Sequence, residues 1–308
     1  MTFLSALIPV VIIIALGRLL AWRGQPASEG WRAVDRVSYV LLFPVMIVNV
    51  LSRASFESAP WKIAVAILVS QLLMAALGLA SRYWPRMTRP AIGCVVQSNA
   101  RWNTMIALAI AEPLFGAEGV ALVAIVAACL IPTANILSIT ALSHYGEHAD
   151  GRRKRHPFAE AVRNPILIAC VIGGVLNVAH LPPSGVIGDT MDILGRAAVA
   201  LGLLAAGAGV DMAALRRAGI RTLTWSLIRL LTFPLIAGAI GLALGMGRTE
   251  LAVIVISAST PTAASGYILA RELGGDGTFM ANLIAVQTVL AALTMPAMYF
   301  LFMALHGG

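Results

Sequence analysis

The chain has 308 residues, of which 59% are hydrophobic and 12% are charged, and its formal net charge is +8. A soluble domain carries roughly a quarter charged residues, so the composition excludes a soluble globular protein and predicts an all-α polytopic membrane protein. The net positive charge alone would be compatible with nucleic-acid binding, but its distribution along the chain is not.

Apolar blocks predict ten membrane-spanning helices. In chain order, their approximate limits are 3–22, 37–52, 61–81, 91–115, 119–142, 163–180, 190–211, 222–245, 250–272 and 278–304. A block of about 20 apolar residues is long enough to cross roughly 30 Å of hydrocarbon. The first block lacks a basic segment before it and a small-residue cleavage site after it. It is therefore predicted to be a true helix rather than a signal peptide.

Basic residues are concentrated in alternate loops. If the N-terminus lies outside, the inner loops hold fifteen basic residues and the outer loops hold three, namely Arg53, Lys62 and Arg248. This positive-inside bias predicts that both termini lie outside. The run "GRRKRH" at 151–156 is then a determinant of topology rather than a nucleic-acid-binding segment. Four further arginines fall inside the predicted spans, namely Arg18, Arg101, Arg196 and Arg229, whereas Lys62, Arg163 and Arg271, at the ends of their spans, are counted with the adjoining loops.

The chain contains an internal repeat. A shift of 158 residues superposes "NTMIALAIAEPLFGAEG" (103–119) on "PTAASGYILARELGGDG" (261–277), and a shift of 156 aligns the first span with the sixth. This predicts two five-helix repeats, 1–150 and 151–308. Because five is odd, the second repeat enters the membrane in the opposite orientation, an inverted-topology arrangement found in many secondary transporters. The alternative is a duplicated structural bundle that transports nothing.

Polar residues interrupt the fourth predicted span. They are Gln97, Asn99, Arg101, Asn103 and Thr104. An arginine that faces lipid at this depth costs at least about 2.5 kcal/mol, so Arg101 faces either a protein interior or cavity, or the inner interface by snorkelling. In a cavity, its guanidinium would suit a carboxylate.

The ninth predicted span has a matching interruption. Its residues are Ser259, Thr260, Pro261, Thr262, Ser265 and Gly266. Proline removes a backbone donor, and the released groups need a buried or cavity-lining environment. The pattern therefore predicts either a broken-helix binding site or a small-residue helix contact. Two half-helix N-termini meeting at mid-membrane would attract an anion. Asn135 in span five and Gln287 in span ten either line this site or bind neighbouring helices.

No catalytic or metal site is predicted. The five histidines lie in loops or near span ends, and the three cysteines have no metal-ligand spacing. We therefore expect no enzyme activity and no cofactor. The absence of a clear mid-membrane carboxylate disfavours an acidic relay, but coupling to H⁺ or Na⁺ through backbone oxygens or the substrate stays open.

Four segments of the chain are characteristic: "RWNTMIALAIAEPLFGAEGVAL", "RNPILIACVIGGVLN", "ILGRAAVALGLLAAGAGVDM" and "GYILARELGGDGTFMANLI". Together they resemble the auxin efflux carrier (AEC) family, which includes plant auxin exporters and bacterial malonate and malate permeases. The resemblance covers essentially the whole chain in order. It implies a bacterial-type transporter of the inner (cytoplasmic) membrane that carries a small organic anion such as malonate, malate or an auxin-like acid.

The resemblance also implies a fold similar to that of the bile-acid sodium symporters. Spans 1, 2, 6 and 7 would form a scaffold through which a homodimer could assemble, and spans 3–5 and 8–10 would form a transport domain that moves by an elevator mechanism. Spans 4 and 9 would break and cross, with Asn103 and Thr104 at the first crossover and Pro261 to Gly266 at the second. Relatives often carry Gly-x-Pro where this chain has Ala109-Ile110-Ala111, so the position of the first break is open. Alternatives are a sodium-coupled symporter of the bile-acid type and a non-transporting receptor or scaffold.

Overall fold

The computed structural model describes residues 3–53, 60–147 and 165–307, and these parts contain helices but no strand. In chain order the helices are α1 (Phe3–Trp22), α2 (Ser28–Val37), α3 (Phe43–Arg53), α4 (Pro60–Leu79), α5 (Arg89–Ala100), α6 (Thr104–Tyr145), α7 (Pro165–Val178), α8 (Gly185–Ala208), α9 (Met212–Arg217), α10 (Ile220–Ala243), α11 (Arg248–Ser259), α12 (Ser265–Glu272) and α13 (Gly277–Gly307). The predicted repeat boundary and the basic run at 151–156 lie outside the described residues.

Six helical segments of the described chain are long and apolar enough to cross a membrane. They are Glu29–Arg53, Trp61–Tyr83, Arg89–Tyr145, Gly185–Ala208, Ile220–Ala243 and Gly277–Gly307. Two shorter apolar helices, Ile8–Trp22 and Pro165–Val178, accompany them. The chain is therefore an integral membrane protein, as its composition predicts. The full set of ten spans in an inverted repeat stays a prediction.

The second predicted span is longer than its apolar block. Its helix begins at Ser28 instead of residue 37 and passes through a π-helical turn, Ser38–Leu42, into α3. The first ten residues, "SEGWRAVDRV", are amphipathic and continue the helix beyond the apolar block. Composition predicts only the length of the apolar block. The helix can be longer, because polar residues also form the backbone hydrogen bonds of a helix.

Each polar stretch contains a non-helical segment, called an interruption below: residues 101–103 form the first and residues 260–264 the second. Helix α5 ends at Ala100, Arg101 is extended with φ −88° and ψ 153°, and α6 begins at Thr104. Helix α11 ends at Ser259, followed by Thr260 at φ −66° and ψ 149°. Pro261 accounts for the second interruption, because it lacks a backbone N–H and forces the preceding residue into an extended conformation. The first interruption contains neither proline nor glycine.

The boundary predicted between spans four and five is a sharp bend within α6. Gly116 has φ 58° and ψ −143°, far from helical values. Only glycine adopts this region without steric cost. The predicted loop at residues 116–118 is thus reduced to one glycine, while Ala109 to Ala111 are helical.

The chain divides into two compact units, each discontinuous in sequence. Unit 1 comprises Met1–Pro60, Thr104–Ala128 and Arg163–Val210. Within it, α1 packs on α8, and α3 packs on α7 and α8. The Asn49 amide donates to Asp192 over 2.6 Å, which joins α3 to α8.

Unit 2 comprises Trp61–Asn103, Cys129–Val162 and Asp211–Gly308. Helices α10, α11 and α13 pack against one another, and α5 and α12 pack against α13. A buried apolar cluster that includes Cys94, Leu142, Trp225, Met280 and Leu283 fixes these helices. Both interruptions lie in this unit. The first ends at Asn103, and the next residue, Thr104, begins a segment of unit 1. The predicted division into repeats, scaffold and transport domain stays a prediction.

Candidate functional site

The two interruptions contact each other directly inside unit 2. The backbone N–H of Asn103 donates to the Thr260 hydroxyl over 3.1 Å. The Thr262 hydroxyl donates to the Ser98 carbonyl over 2.7 Å, and the two hydroxyl oxygens of these residues are 3.2 Å apart. The last turn of α5 is therefore hydrogen-bonded to the extended segment after α11, although the residues are 164 positions apart.

Gln287 of α13 completes this connection. Its side-chain nitrogen donates to the Ser98 hydroxyl over 2.7 Å, and its oxygen accepts the backbone N–H of Thr262 over 3.0 Å. Gln287 is fully buried. In the membrane interior an unpaired backbone N–H is costly, so this amide stabilises the extended segment by pairing the donor that follows Pro261.

The side-chain amide of Gln97 forms a second connection between the helices that flank the interruptions. The Gln97 side chain donates to the carbonyl of Gly266 over 2.7 Å, which links α5 to the first turn of α12. Gln71 of α4 donates to the carbonyls of Ala100 and Leu130 over 2.9 and 3.1 Å. The carbonyl of Ala100 at the end of α5 thus has a side-chain partner.

Arg101 lies against protein groups beside both interruptions. Its guanidinium donates to the Asn135 side-chain oxygen over 2.8 Å and to the Ser265 hydroxyl over 3.2 Å. Asn135 is in α6 and Ser265 is the first residue of α12. Arg101 is half-buried, whereas Ser265 is exposed. Arg101 thus contacts protein groups, and its depth in the membrane stays a prediction.

Three predicted site residues take no part in the hydrogen bonds between the interruptions described above. The Ser259 hydroxyl donates to the Val255 carbonyl of its own helix over 2.7 Å, and the Asn99 amide donates to Met74 of α4 over 3.0 Å. Thr104 begins α6 and belongs to unit 1. Ser259 and Thr104 directly flank the interruptions, and the other predicted residues lie in the interruptions or contact residues beside them.

Arg229 of α10 was not predicted to be part of the site. It is completely buried, and its guanidinium donates to the carbonyls of Ser98, Ala258 and Arg101 over 3.3, 2.7 and 3.0 Å. Its charge also lies 4.6 Å from the ring centroid of Phe233. One sequence signal could have identified it: an arginine well inside an apolar span is costly unless it has buried partners.

The described residues contain no group of three or more His, Cys, Asp or Glu side chains that could bind a metal. The polar groups at the interruptions are amides, hydroxyls, carbonyls and two guanidinium groups. Such groups bind and orient a ligand through hydrogen bonds and positive charge, and they include no nucleophile–base pair.

An all-helical membrane protein whose interrupted helices meet in a buried polar region has the features of a transporter. Residues 154–299 match the family model Mem_trans, described as a membrane transport protein. Over 302 residues the chain is 25% identical to an uncharacterized transporter of Methanothermobacter thermautotrophicus, covering 95% of this chain and 96% of the relative. It is 20% identical over 279 residues to the uncharacterized transporter YfdV of Escherichia coli K12, covering 88% of each.

These similarities indicate a membrane transporter rather than an enzyme. The family-model match to the Mem_trans membrane transport domain lies in the second half of the chain. It supports the predicted resemblance to a transporter family. The bile-acid symporter-like fold stays a prediction.

Proposed function

We propose that the protein is a secondary transporter of a small organic anion, a carboxylate such as malonate, malate or an auxin-like acid. The observation that carries the proposal is the position of Arg101 beside both interruptions, held by Asn135 and Ser265. A guanidinium presents a fork of donors that matches a carboxylate.

Helix polarity adds to this positive charge. The N-terminal ends of helices carry about half a positive charge each, and α6 and α12 both begin next to the interruptions. The residue before α12, Ala264, supplies no side-chain cap. An anion near Ser265 would therefore interact favourably with both a helix end and Arg101.

The inverted repeat is part of the proposal. The 158-residue shift superposes 101–103 on 259–261, so the two interruptions fall at nearly equivalent points of the two predicted repeats. This correspondence supports ten spans in a 5+5 arrangement with crossing spans 4 and 9. It also supports an elevator type of alternating access, in which a transport domain (spans 3–5 and 8–10) moves relative to a scaffold (spans 1, 2, 6 and 7). Homodimerisation through the scaffold, and coupling to H⁺ or Na⁺, are expectations from the resemblance.

The test is flux in proteoliposomes containing the purified protein. Isotope uptake or solid-supported-membrane currents are measured with malonate, malate and indole-3-acetate, with and without Na⁺ and with and without a pH gradient. Saturable anion flux is expected. A dependence on Na⁺ would favour the sodium-coupled symporter, and absence of flux and current across the panel would contradict transport and favour a receptor or scaffold.

The site assignment is tested by Asn103→Ala and Thr262→Ala. Both variants are expected to abolish flux while retaining a cooperative thermal unfolding transition. Thr294→Ala is the matched control, because the Thr294 hydroxyl donates only within α13, to the Leu290 carbonyl over 3.2 Å. It is expected to retain flux. Unchanged flux in both site variants would contradict the crossover assignment.

A further inference from the structure

The ends of the interrupted helices carry opposite partial charges. Helices α5 and α11 end at the interruptions, and α6 and α12 begin there. A helix C-terminus carries about half a negative charge and an N-terminus about half a positive charge. Two ends of each kind cancel, so interrupted helices alone do not favour an anion over a cation. Another group must decide the sign.

Arg229 lies at the two negative ends. Ser98 and Arg101 belong to the last turn and the C-terminal cap of α5, and Ala258 belongs to the last turn of α11. The Arg229 guanidinium donates to the carbonyls of all three residues. One full positive charge therefore faces about one full negative charge, the sum of two helix C-termini.

No carboxylate competes for this charge among the ion pairs of the described chain, none of which includes Arg229. The side chain is 0% exposed, so solvent does not screen it. The guanidinium stays protonated, and its charge is compensated by neutral groups, the three carbonyl oxygens and the ring of Phe233.

We infer that Arg229 is a positioning residue that sets the charge preference of the site, an inference that rests on the proposed anion transport. By neutralising the C-terminal ends of α5 and α11, it leaves the positive N-terminal ends and Arg101 as the dominant field at the interruptions. Its three hydrogen bonds also hold the ends of the two helices together. It touches backbone carbonyls, and it acts on the anion only through the field.

A matched pair of probes separates the charge effect from the packing effect. Malonate is a dianion at pH 7.5, and its half-amide, malonamate, is a monoanion of nearly the same size. One charge within about 10 Å at an effective dielectric constant of about 20 changes affinity by roughly tenfold for a monoanion and roughly a hundredfold for a dianion. A loss of packing alone would weaken both probes by the same factor.

The experiment measures the affinities of both probes by thermal stabilisation and by competition in the flux assay. Arg229→Gln keeps hydrogen-bond donors but removes the charge, and it is expected to lose about a hundredfold for malonate and about tenfold for malonamate. The control is Gln71→Leu, which removes the neutral donor to the Ala100 carbonyl. It is expected to change both affinities by one common factor. Equal factors for both probes in Arg229→Gln would overturn the inference.

If Arg229→Gln does not fold, Arg229→Lys is used to test the inference instead. A buried lysine loses its proton at lower pH than arginine. Raising the pH from 7 to 9.5 is therefore expected to weaken malonate binding in the lysine variant several-fold more than in the unmodified protein. Equal pH dependence in the two proteins, together with an unchanged ratio of malonate to malonamate affinity in Arg229→Lys at pH 7.5, would overturn the inference. If the unmodified protein binds none of malonate, malate and indole-3-acetate, the proposed function itself fails and the inference fails with it.

Discussion

At the scale of single residues, the polar side chains of unit 2 mainly satisfy backbone groups that the interruptions release. Gln287 pairs the N–H of Thr262, and Gln71 pairs the carbonyl of Ala100. In hydrocarbon each such group would otherwise remain without a partner, at a cost of several kcal/mol. These amides are therefore needed for the interruptions to persist, whatever ligand the site binds.

Arg101 is expected to contribute directly to anion affinity. Arg101→Gln should raise the apparent KM for the transported acid more than about tenfold, because a charge-assisted hydrogen bond contributes about 1.5–3 kcal/mol. The measurement is the concentration dependence of proteoliposome flux. Arg248→Gln is the control, since it removes the same charge from an exposed residue at the first turn of α11. A similar KM for both variants would contradict a role for Arg101 in binding.

At the scale of elements, the two interruptions have different origins. The second follows from local chemistry, because Pro261 cannot continue α11. The first has no such residue, and the extended backbone at Arg101 is stabilised by contacts from Thr260, Gln71 and Arg229. A proline can be recognised in the sequence, whereas a break that depends on side chains of other helices cannot.

The turn between α12 and α13 is held against the end of α6. Gly274 has φ 77°, its carbonyl accepts the N–H of Glu147 over 2.8 Å, and an added Cβ would collide with the Glu147 carbonyl. Gly274→Ala is therefore expected to lower thermal stability by more than the 1–2 kcal/mol or so that the left-handed conformation alone costs.

The matched control for this variant is Gly245→Ala. Gly245 has φ 60°, but an added Cβ would meet nothing within 4 Å. Thermal unfolding of both variants in the same detergent measures the difference. Equal losses of stability would show that the contact between Gly274 and Glu147 contributes nothing beyond backbone strain.

At the scale of the whole molecule, length and charge set the relation to the membrane. Six long apolar helical segments make the described chain an integral membrane protein. The side on which each loop lies depends on the basic residues, fifteen of which fall in predicted inner loops and three in predicted outer loops. Because the two predicted repeats have five spans each, an odd number, they would enter the membrane in opposite orientations.

Reporter fusions test this topology. A fusion after residue 150 is expected to give fluorescent green fluorescent protein and inactive alkaline phosphatase, because the central basic loop is predicted to be inside. A fusion after Gly308 is expected to give the reverse, with active phosphatase. Expression of each fusion is quantified by immunoblot as the control. The same reporter response at both positions would contradict an odd number of spans between them.

The sequence by itself determined the membrane environment, the helical class and the two polar stretches in which the interruptions occur. These properties depend on composition and on residues close together along the chain, such as the proline at 261. It also indicated Arg101 and Gln287, because polar groups inside apolar spans are conspicuous.

Only the tertiary structure decided which groups are partners. Gln287 pairs with Ser98 across 189 positions, and Arg229 with Ser98 across 131. No local pattern encodes such pairs, because a buried donor binds the acceptor that packing brings near it. For the same reason, the position of the first interruption and the partners of Arg229 were visible only in the folded chain.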